Sequence, residues 1–286
     1  MARTAAKKSG TSAKRKPKLG QNFLTDRGAA LRIVEALGDV SDRTVIEIGP
    51  GRGILTDLLI PRAWRVIGIE LDRVMAAQLR MRYATKPNVE ILESDFVTAE
   101  FASMVGRRPG PLHDLRPTRP DTVDVIGNLP YYITSDIVLR ILELHEHIDR
   151  AVIMVQREVA DRIAATPGNR EYGLLSATTQ LFARVEKLFT LSPGAFSPPP
   201  QVHSSALRLT MAPRLQELRI EEKPFIAFLK LAFGQKRKTL LNNLRGQYDQ
   251  AAIRTALKSA GLRADVRAEA ISLEKTAAVF RALQEA

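Results

Sequence analysis

Strand-like runs alternate with helical segments through the first half of the chain, and this alternation limits the fold more than any other feature. Five runs of consecutive apolar and β-branched residues occur at 44–48, 65–70, 88–92, 122–128 and 151–156. Segments with helical periodicity lie between or after them, at 54–60, 72–84, 134–147 and 157–165. Strands without polar alternation are typical of parallel sheets that are buried on both faces. The pattern predicts an open α/β sheet with right-handed crossovers and helices on both sides.

Other segments extend this sheet. Residues 28–37 predict an earlier helix that ends at Gly38, a suitable left-handed cap. The runs "RVEKLFTL" (184–191) and "SSALRLT" (204–210) predict a closing pair of strands, which brings the sheet to seven. Residues 106–121 hold four prolines, two glycines and four arginines, and they predict an exposed loop.

The pattern changes after about residue 211. The segments 225–244 and 250–261 have helical periodicity, and no strand-like run separates them. The chain is therefore expected to consist of a basic tail, a sheet domain and a small helical domain. The predicted bounds are 1–18, 19–211 and 212–286.

The charge of the chain indicates a polyanionic partner. The formal net charge is +12, and residues 1–18 contribute seven positive charges and no acid. A protein this basic usually binds polyanions, of which nucleic acid is the commonest. One alternative is a solvated tail that only aids solubility. Another is an organelle transit peptide, although the tail lacks the apolar face that such a peptide needs.

Composition excludes several kinds of site. The chain has no cysteine, which excludes disulfides, thiolate metal sites and a cysteine nucleophile. Its four histidines show no ligand spacing with acidic residues, so no metal is expected. No apolar run reaches the roughly 18 residues of a membrane span, and no signal-peptide pattern is present. A cytoplasmic protein without a membrane partner is therefore expected. A monomer is also expected, although no residue pattern indicates the oligomeric state.

The first candidate site lies in "EIGPGRGILT", residues 47–56. A predicted strand runs into Gly49, Gly51 and Gly53 and then into a helix. Glycines permit a tight turn and a close approach of a ligand to the backbone, and a helix N-terminus favours an anionic group. Glu70 follows at the tip of the next strand, where a carboxylate can accept hydrogen bonds from ribose hydroxyls.

Asp95 and Phe96 extend this site to the tip of the third strand. They are placed to bond an adenine amino group and to pack on its ring. Because the carboxyl ends of parallel strands share one edge of the sheet, the residues predict an adenosine-type ligand. Nicotinamide dinucleotide and S-adenosylmethionine both fit, but the third glycine of a dinucleotide loop is absent from its usual place, where Ile54 and Thr56 stand, and this disfavours a diphosphate. A tight turn without a ligand is the alternative.

The segment "DVIGNLPYYIT", residues 124–134, ends the fourth strand with an amide, a proline and two tyrosines. The side-chain carbonyl of Asn128 and the backbone carbonyl of Leu129 are placed to accept both hydrogens of an exocyclic amino group. Such bonds direct the nitrogen lone pair toward a sulfonium methyl group without a strong base. Pro130 stiffens the turn, and Tyr131 offers an aromatic face. The alternative is an asparagine that caps the next helix.

Taken together, the motifs resemble the ribosomal RNA adenine N6-dimethyltransferases from Gly20 nearly to the end of the chain. The segments that carry the likeness are "GQNFL" (20–24), "EIGPGRGILT" (47–56), "IELD" (69–72), "SDF" (94–96), "NLPYYIT" (128–134), "MVQREVADRI" (154–163) and "GAFSPPPQVHSS" (194–205). The resemblance implies a class I methyltransferase (Rossmann-like) domain with S-adenosylmethionine as donor. It also implies dimethylation of two adjacent adenosines near the 3′ end of 16S rRNA in the small ribosomal subunit, with a role in biogenesis of that subunit.

The resemblance further implies roles for single residues. In the family the "QNFL" segment closes over the donor, so Asn22 and Leu24 are expected to bind it. Other donor-binding positions of the family are matched by Gly49, Glu70, Asp95 and Asn128. Asn128 also takes the catalytic role, Tyr131 matches a stacking aromatic, and Phe196 matches a second aromatic that faces the target base. Tyr132 stands where bacterial members commonly have a polar residue, and it is expected beside the target base or against the next helix.

The segment "GQKRKTLLNNLR" (234–245) resembles the basic helix start of the family. Lys236, Arg237 and Lys238 are expected to contact RNA phosphates, which give affinity without sequence choice. A solvated helix face is the alternative.

Three other functions stay open. The erythromycin-resistance methyltransferases use a similar site on large-subunit RNA, and they usually have isoleucine where Leu129 lies. A ribosome assembly factor whose binding matters more than its chemistry belongs to another class. A dehydrogenase would bind the dinucleotide instead of the sulfonium donor.

Overall fold

A seven-stranded sheet lies at the centre of the structure, a computed structural model that describes residues 22–101 and 122–285. The described strands are β1 (Phe23–Leu24), β2 (Thr44–Ile48), β3 (Arg65–Glu70), β4 (Val89–Glu93), β5 (Val123–Asn128), β6 (Ile148–Gln156), β7 (Ala183–Leu191), β8 (Phe196–Ser197) and β9 (Ser204–Met211). The sheet has the order β4-β3-β2-β5-β6-β9-β7, and its first five strands are parallel. β9 runs antiparallel to both of its neighbours. β1 and β8 form a separate antiparallel pair.

Helices pack on both faces of this sheet. The described α-helices are α1 (Arg27–Glu35), α2 (Ile54–Leu59), α3 (Arg73–Arg82), α4 (Thr134–Glu143), α5 (Arg157–Ile163), α6 (Leu174–Phe182), α7 (Leu215–Leu218), α8 (Glu222–Ala232), α9 (Leu240–Leu244), α10 (Gln250–Ser259) and α11 (Leu273–Gln284). Neighbouring residues of one strand enter different hydrophobic clusters. Val45 packs in the cluster of α1 and α2, whereas Ile46 packs in the cluster that contains α4. The predicted sheet with two buried faces is therefore confirmed.

The predicted strands agree with the structure to within a few residues. β6 begins at Ile148, three residues before the predicted start, because Ile148 already pairs with Val123. The predicted helix at 134–147 ends earlier, at Glu143. α6 was not predicted, since its hydroxyl residues Ser176 and Thr179 are fully buried and leave it without a polar face to mark its period.

The segment 225–244 forms two helices, although its helical periodicity is continuous. α8 ends at Ala232, and α9 begins only at Leu240. Thr239 caps α9, because its hydroxyl accepts a hydrogen bond from the backbone N–H of Asn242 at 3.3 Å. The side-chain amide of Asn243 donates to the carbonyl of Ala232 at 2.7 Å and so satisfies the end of α8. Capping groups on both sides therefore end α8 and start α9, although the apolar periodicity continues through the break.

The helices after β9 pack against one another, and α8 also contacts α6. Phe225 and Phe228 of α8 are buried and belong to the same hydrophobic cluster as Ile46 and Ile137. A division of the chain near residue 211 stays a prediction. The predicted basic tail at 1–18 and the predicted loop at 106–121 lie outside the described residues.

The turn between β2 and α2 requires glycine at its last position. Gly53 has a φ of +79°, a conformation that residues with a Cβ rarely adopt. A Cβ at this position would lie 2.3 Å from the hydroxyl oxygen of Tyr83. That hydroxyl donates to a carboxylate oxygen of Asp57 at 2.8 Å. The end of α3 is thereby fixed against the start of α2.

Gly53→Ala is expected to lower the free energy of unfolding by about 3 kcal/mol, because backbone strain and a clash act together. The matched control is Gly168→Ala, where φ is +86° but no heavy atom lies within 4 Å of the added Cβ. It should cost only about 1–2 kcal/mol. Urea denaturation measures both losses. Adding Tyr83→Phe to the Gly53 variant should recover part of its loss, and equal losses at the two glycines would contradict this account.

Candidate active site

An open cavity lies at the carboxyl ends of the parallel strands β2, β3 and β5. It encloses about 790 Å³ of space, part of it open to solvent. Nine of the predicted site residues line it together: Asn22, Gly49, Gly51, Glu70, Asp95, Phe96, Asn128, Leu129 and Tyr131. This is the edge of an open α/β sheet at which ligands are generally bound.

Glu70, at the end of β3, holds the glycine turn in place. Its side chain is almost fully buried. One carboxylate oxygen accepts a hydrogen bond from the backbone N–H of Gly51, and the other accepts from that of Asp72, both at 3.0 Å. A carboxylate oxygen can accept two hydrogen bonds, so both oxygens keep acceptor capacity for a ligand.

The segment that contains β1 closes over this turn. Phe23 lines the cavity, and a Cβ on Gly51 would lie only 3.0 Å from the phenyl ring. The guanidinium of Arg52 lies 4.6 Å from the centre of the same ring, within the range of a cation–π contact. Glycine at position 51 is therefore required by the close approach of an aromatic ring from a distant part of the chain.

Asp95 and Phe96 follow β4 on the same side of the cavity. A carboxylate oxygen of Asp95 accepts a hydrogen bond from the backbone N–H of Val97 at 2.9 Å, which fixes the turn. Phe96 is buried, and its ring lies edge-on to Phe101 with the centroids 6.5 Å apart. A carboxylate and an aromatic ring are thus held beside each other on the cavity wall.

The amide of Asn128 is fixed in one orientation. Its Nδ2 donates a hydrogen bond to the backbone carbonyl of Asn22 at 2.8 Å. A carbonyl only accepts, so the nitrogen must face Asn22 and Oδ1 must face elsewhere. This Oδ1 is buried and has no hydrogen-bond partner among the described residues. Because burial of a carbonyl oxygen without a hydrogen bond costs free energy, we expect a ligand to donate a hydrogen bond to this atom.

The alternative role of Asn128 as a helix cap is not found. The short 3₁₀ turn Tyr131–Ile133 begins after Pro130, and no side chain caps it. The hydroxyl of Tyr131 lies 2.7 Å from that of Ser204 in β9. Burial raises the pKa of Tyr131, and the contact with Ser204 partly offsets this effect. Tyr131 is therefore tethered by its hydroxyl, and its ring lines the cavity.

Leu24 and Phe196 do not line the cavity. They are register partners in the β1–β8 pair, and each side chain is only 4% exposed in the hydrophobic cluster around α1. In this structure they hold the segment that carries Asn22, and contacts of either with a ligand stay predictions. Lys236, Arg237 and Lys238 also lie away from the cavity, in the exposed turn between α8 and α9.

Sequence reasoning missed Glu47, which lies inside β2. Its carboxyl is buried, and the hydroxyl of Thr56 donates to it at 2.6 Å. Burial raises the pKa of Glu47 to about 8, and the nearby charge of Glu70 adds to this effect. The available signal was a single acidic residue inside the apolar run "TVIEI".

Two kinds of feature are absent from the described parts of the chain, 22–101 and 122–285. No group of three or more metal-ligating side chains occurs there. None of the helices there is long and apolar enough to cross a bilayer.

The fold and the cavity place the chain among the class I methyltransferases. The structure is similar to that of the 23S rRNA methyltransferase ErmE, with 28% identity, a TM-score of 0.66 and coverage of 92% of this chain and 100% of that one. It also resembles the fold of a dimethyladenosine transferase from Plasmodium falciparum, with 23% identity, a TM-score of 0.73 and coverage of 90% and 95%.

The family follows from the sequence as a whole. The model of the ribosomal RNA adenine dimethylase family matches residues 12–285, and the chain belongs to this family. The chain is 62% identical to ribosomal RNA small subunit methyltransferase A of Koribacter versatilis over the full length of both. It is 53% identical to the protein of that name from Acidobacterium capsulatum, over 96% of this chain and 93% of the relative. The resemblance described from the motifs is therefore confirmed.

Glu47→Gln tests whether the buried carboxyl of Glu47 stays protonated in the folded protein. Because the pKa of Glu47 rises from 4.5 to about 8 on folding, the folded state keeps a proton that the unfolded state releases. The stability of the parent protein should therefore fall as the pH rises between these values. The glutamine variant keeps an acceptor for Thr56 but has no proton to lose. We expect its stability relative to the parent to increase by roughly 1–4 kcal/mol from pH 5 to pH 9, measured by urea denaturation.

The matched control for Glu47→Gln is Glu146→Gln, which removes an exposed carboxyl. Its stability difference from the parent should change little over the same pH range, because water reaches this carboxyl in both states. Parallel pH curves for the parent and the Glu47 variant would show that the folded protein does not hold this proton.

Proposed function

We propose that this protein transfers methyl groups from S-adenosylmethionine to the N6 atoms of two adjacent adenosines near the 3′ end of 16S rRNA. The small ribosomal subunit is the proposed substrate, and its biogenesis is the proposed process. The observation that carries the proposal is the unpartnered Oδ1 of Asn128, buried at the cavity beside the glycine turn. Membership of the rRNA adenine dimethylase family gives this acceptor a defined target.

The cavity residues fit an adenosine-bearing donor. Glu70 has acceptor capacity for ribose hydroxyls, and Asp95 and Phe96 offer a carboxylate and a ring to adenine. Gly49 is exposed, and no heavy atom lies within 4 Å of a Cβ placed on it, so a donor could approach the turn there. Gly51 and Asn22 also line the cavity. When bound, S-adenosylmethionine supplies an electrophilic methyl group on a positively charged sulfur. The residues named here would hold it in place.

Asn128 and Leu129 would position the target nitrogen. An adenine amino group has two hydrogens, and Oδ1 of Asn128 together with the backbone carbonyl of Leu129 can accept both. Accepting them concentrates electron density in the nitrogen lone pair and aims it away from the two acceptors. No general base is needed, because an amine that has gained a methyl group is acidic and loses its proton to water. The contribution of the protein is then orientation and a preorganised dipole.

The target adenosine must reach this cavity unpaired. Its N6 lies on the Watson–Crick edge, which is covered in a duplex, so enzymes that modify such atoms act on single strands or flip the base out. Tyr131 would stack on the extruded ring, with its hydroxyl held by Ser204. Phe196 is proposed as a second aromatic contact, which would require it to leave the buried β1–β8 pair.

The proposed target is the small rather than the large ribosomal subunit. The relatives named as small-subunit methyltransferases are 62% and 53% identical to the chain, against 28% for the 23S rRNA methyltransferase. Leu129 also stands where the macrolide-resistance enzymes usually have isoleucine. A mainly non-catalytic assembly factor is the second candidate, and a large-subunit methyltransferase is the third.

The proposed RNA contacts lie outside the cavity. The helical region 212–286 and the basic tail 1–18 are proposed to hold the ribosomal subunit. Within the turn 236–238 three exposed cations follow one another, and the ammonium of Lys236 donates to the backbone carbonyl of Arg170 at 2.6 Å. The proposed localisation is the cytoplasm, where bacterial ribosomal subunits are made. The proposed oligomeric state is a monomer.

Asn128→Ala is expected to separate chemistry from donor binding. Methyl transfer to small subunits that lack the modification should fall at least about 100-fold, because the acceptor for the amino group is lost. The dissociation constant of S-adenosylmethionine should change far less. Glu70→Ala should show the opposite pattern, with a dissociation constant raised about tenfold or more through loss of a charged acceptor. Tritiated donor measures transfer, and calorimetry measures binding.

The control for both variants is Asn88→Ala, at the amino end of β4. The amide of Asn88 donates to the backbone carbonyls of Ile60 and Ala63, so its loss should reduce stability without reducing transfer below the melting temperature. A fully active Asn128 variant would overturn the catalytic assignment. Mapping of the labelled nucleotide distinguishes small-subunit from large-subunit RNA.

Replacement of residues 236–238 by alanine tests the proposed phosphate contacts. Each lost phosphate contact should reduce the slope of log K against log salt by about 0.7–0.9, so the slope should fall by about 2. The control of equal charge replaces Arg62, Lys86 and Arg184, which are exposed and lie outside the helical region 212–286. Filter binding of small subunits over a range of salt concentrations measures both. An unchanged slope for the first variant would remove the turn from the RNA interface.

A further inference from the structure

Two adjacent tyrosines line the cavity in different ways. Tyr131 is half-buried, and its hydroxyl contacts Ser204 at the start of β9. Tyr132 is 57% exposed. None of the residues in 22–101 and 122–285 forms a hydrogen bond with its hydroxyl. One ring is therefore tethered by its hydroxyl, and the other is exposed and has no such tether.

The two tyrosines also face different strand ends. Partial burial raises the pKa of Tyr132, and the negative charges of Asp95 and Glu70 raise it further. No such effect of these carboxylates acts on Tyr131, whose neighbour is Ser204. Tyr132 lines the cavity together with Glu70 and Asp95, whose charges act on it, whereas the hydroxyl of Tyr131 contacts Ser204 in β9. The β3–β4 side is the side whose residues fit the adenosine of the donor.

Two large apolar side chains are exposed at the cavity on that side, those of Leu71 and Tyr132. Leu71, which follows Glu70, is 48% exposed and lines the same cavity as the exposed ring of Tyr132. Phe96 is buried and lines the same cavity from the core. A flat heteroaromatic ring bound here would have an aromatic side chain available from the core and another from the solvent side.

We propose that Tyr132 is a donor-binding residue, whose ring closes over the adenine of S-adenosylmethionine from the solvent side. The inference rests on the proposed function, because it takes the same donor as its ligand. It assigns the two tyrosines to different ligands: Tyr132 to the donor and Tyr131 to the target adenosine. Stacking of an aromatic side chain on a base is strong enough for its loss to be measured directly.

Calorimetry with S-adenosylhomocysteine, in the absence of RNA, tests this assignment. Tyr132→Ala should raise the dissociation constant about tenfold through loss of the stacking ring. Tyr132→Phe should bind like the parent, because it keeps the ring and loses only an unbonded hydroxyl. Tyr131→Ala should leave this constant unchanged and instead raise the KM for small subunits. Melting curves of all variants establish that the exposed position tolerates the change.

The matched control is Leu139→Ala in α4, which removes a partly exposed apolar side chain that does not line the cavity. It should leave the dissociation constant unchanged. If Tyr132→Ala also binds S-adenosylhomocysteine like the parent, the assignment fails, and a raised KM for small subunits would then place Tyr132 on the target base. That outcome leaves the proposed function intact. Failure of the parent protein itself to bind S-adenosylhomocysteine would overturn both.

Discussion

The site depends on one hydrogen bond between distant parts of the chain. The backbone carbonyl of Asn22 accepts a hydrogen bond from Nδ2 of Asn128, and Oδ1 of Asn128 stays buried without a partner among the described residues. A side-chain amide on a strand tip would otherwise rotate and satisfy its carbonyl with the nearest N–H. The unfavourable orientation persists because β1 is held by its pairing with β8 and by burial of Leu24 and Phe196. Residues that do not line the cavity thereby set the direction of the acceptor that does.

A second constraint links the glycine turn to the sheet. The buried carboxylate of Glu70 accepts hydrogen bonds from the backbone N–H of Gly51 in the turn and from that of Asp72 after β3. Because β3, β2 and β5 are parallel neighbours, their ends bring Glu70, the turn and Asn128 to one edge. The meeting of Glu70, the glycine turn and Asn128 at one edge is thus a consequence of strand order.

The sequence predicted the features that are local in the chain. Unbroken apolar runs predict buried strands, and polar residues directly after them must lie at one sheet edge, so Glu70, Asp95 and Asn128 were placed correctly. The positions of Leu24 and Phe196 depend on pairing across 172 residues, which no local pattern encodes. α6 lacks a polar face, and the break between α8 and α9 depends on capping by Thr239 and Asn243, so periodicity alone missed both.

The pairing of β1 with β8 also orders events during synthesis of the chain. The carbonyl of Ala195, directly before β8, accepts a hydrogen bond from the backbone N–H of Thr25, directly after β1. Thr25 is translated 170 residues before Ala195. A nascent chain that has passed Asn128 already contains every residue of the glycine turn, but the strand that secures Asn22 has not yet been translated. The protein therefore acquires an oriented amide only when most of its length has left the ribosome.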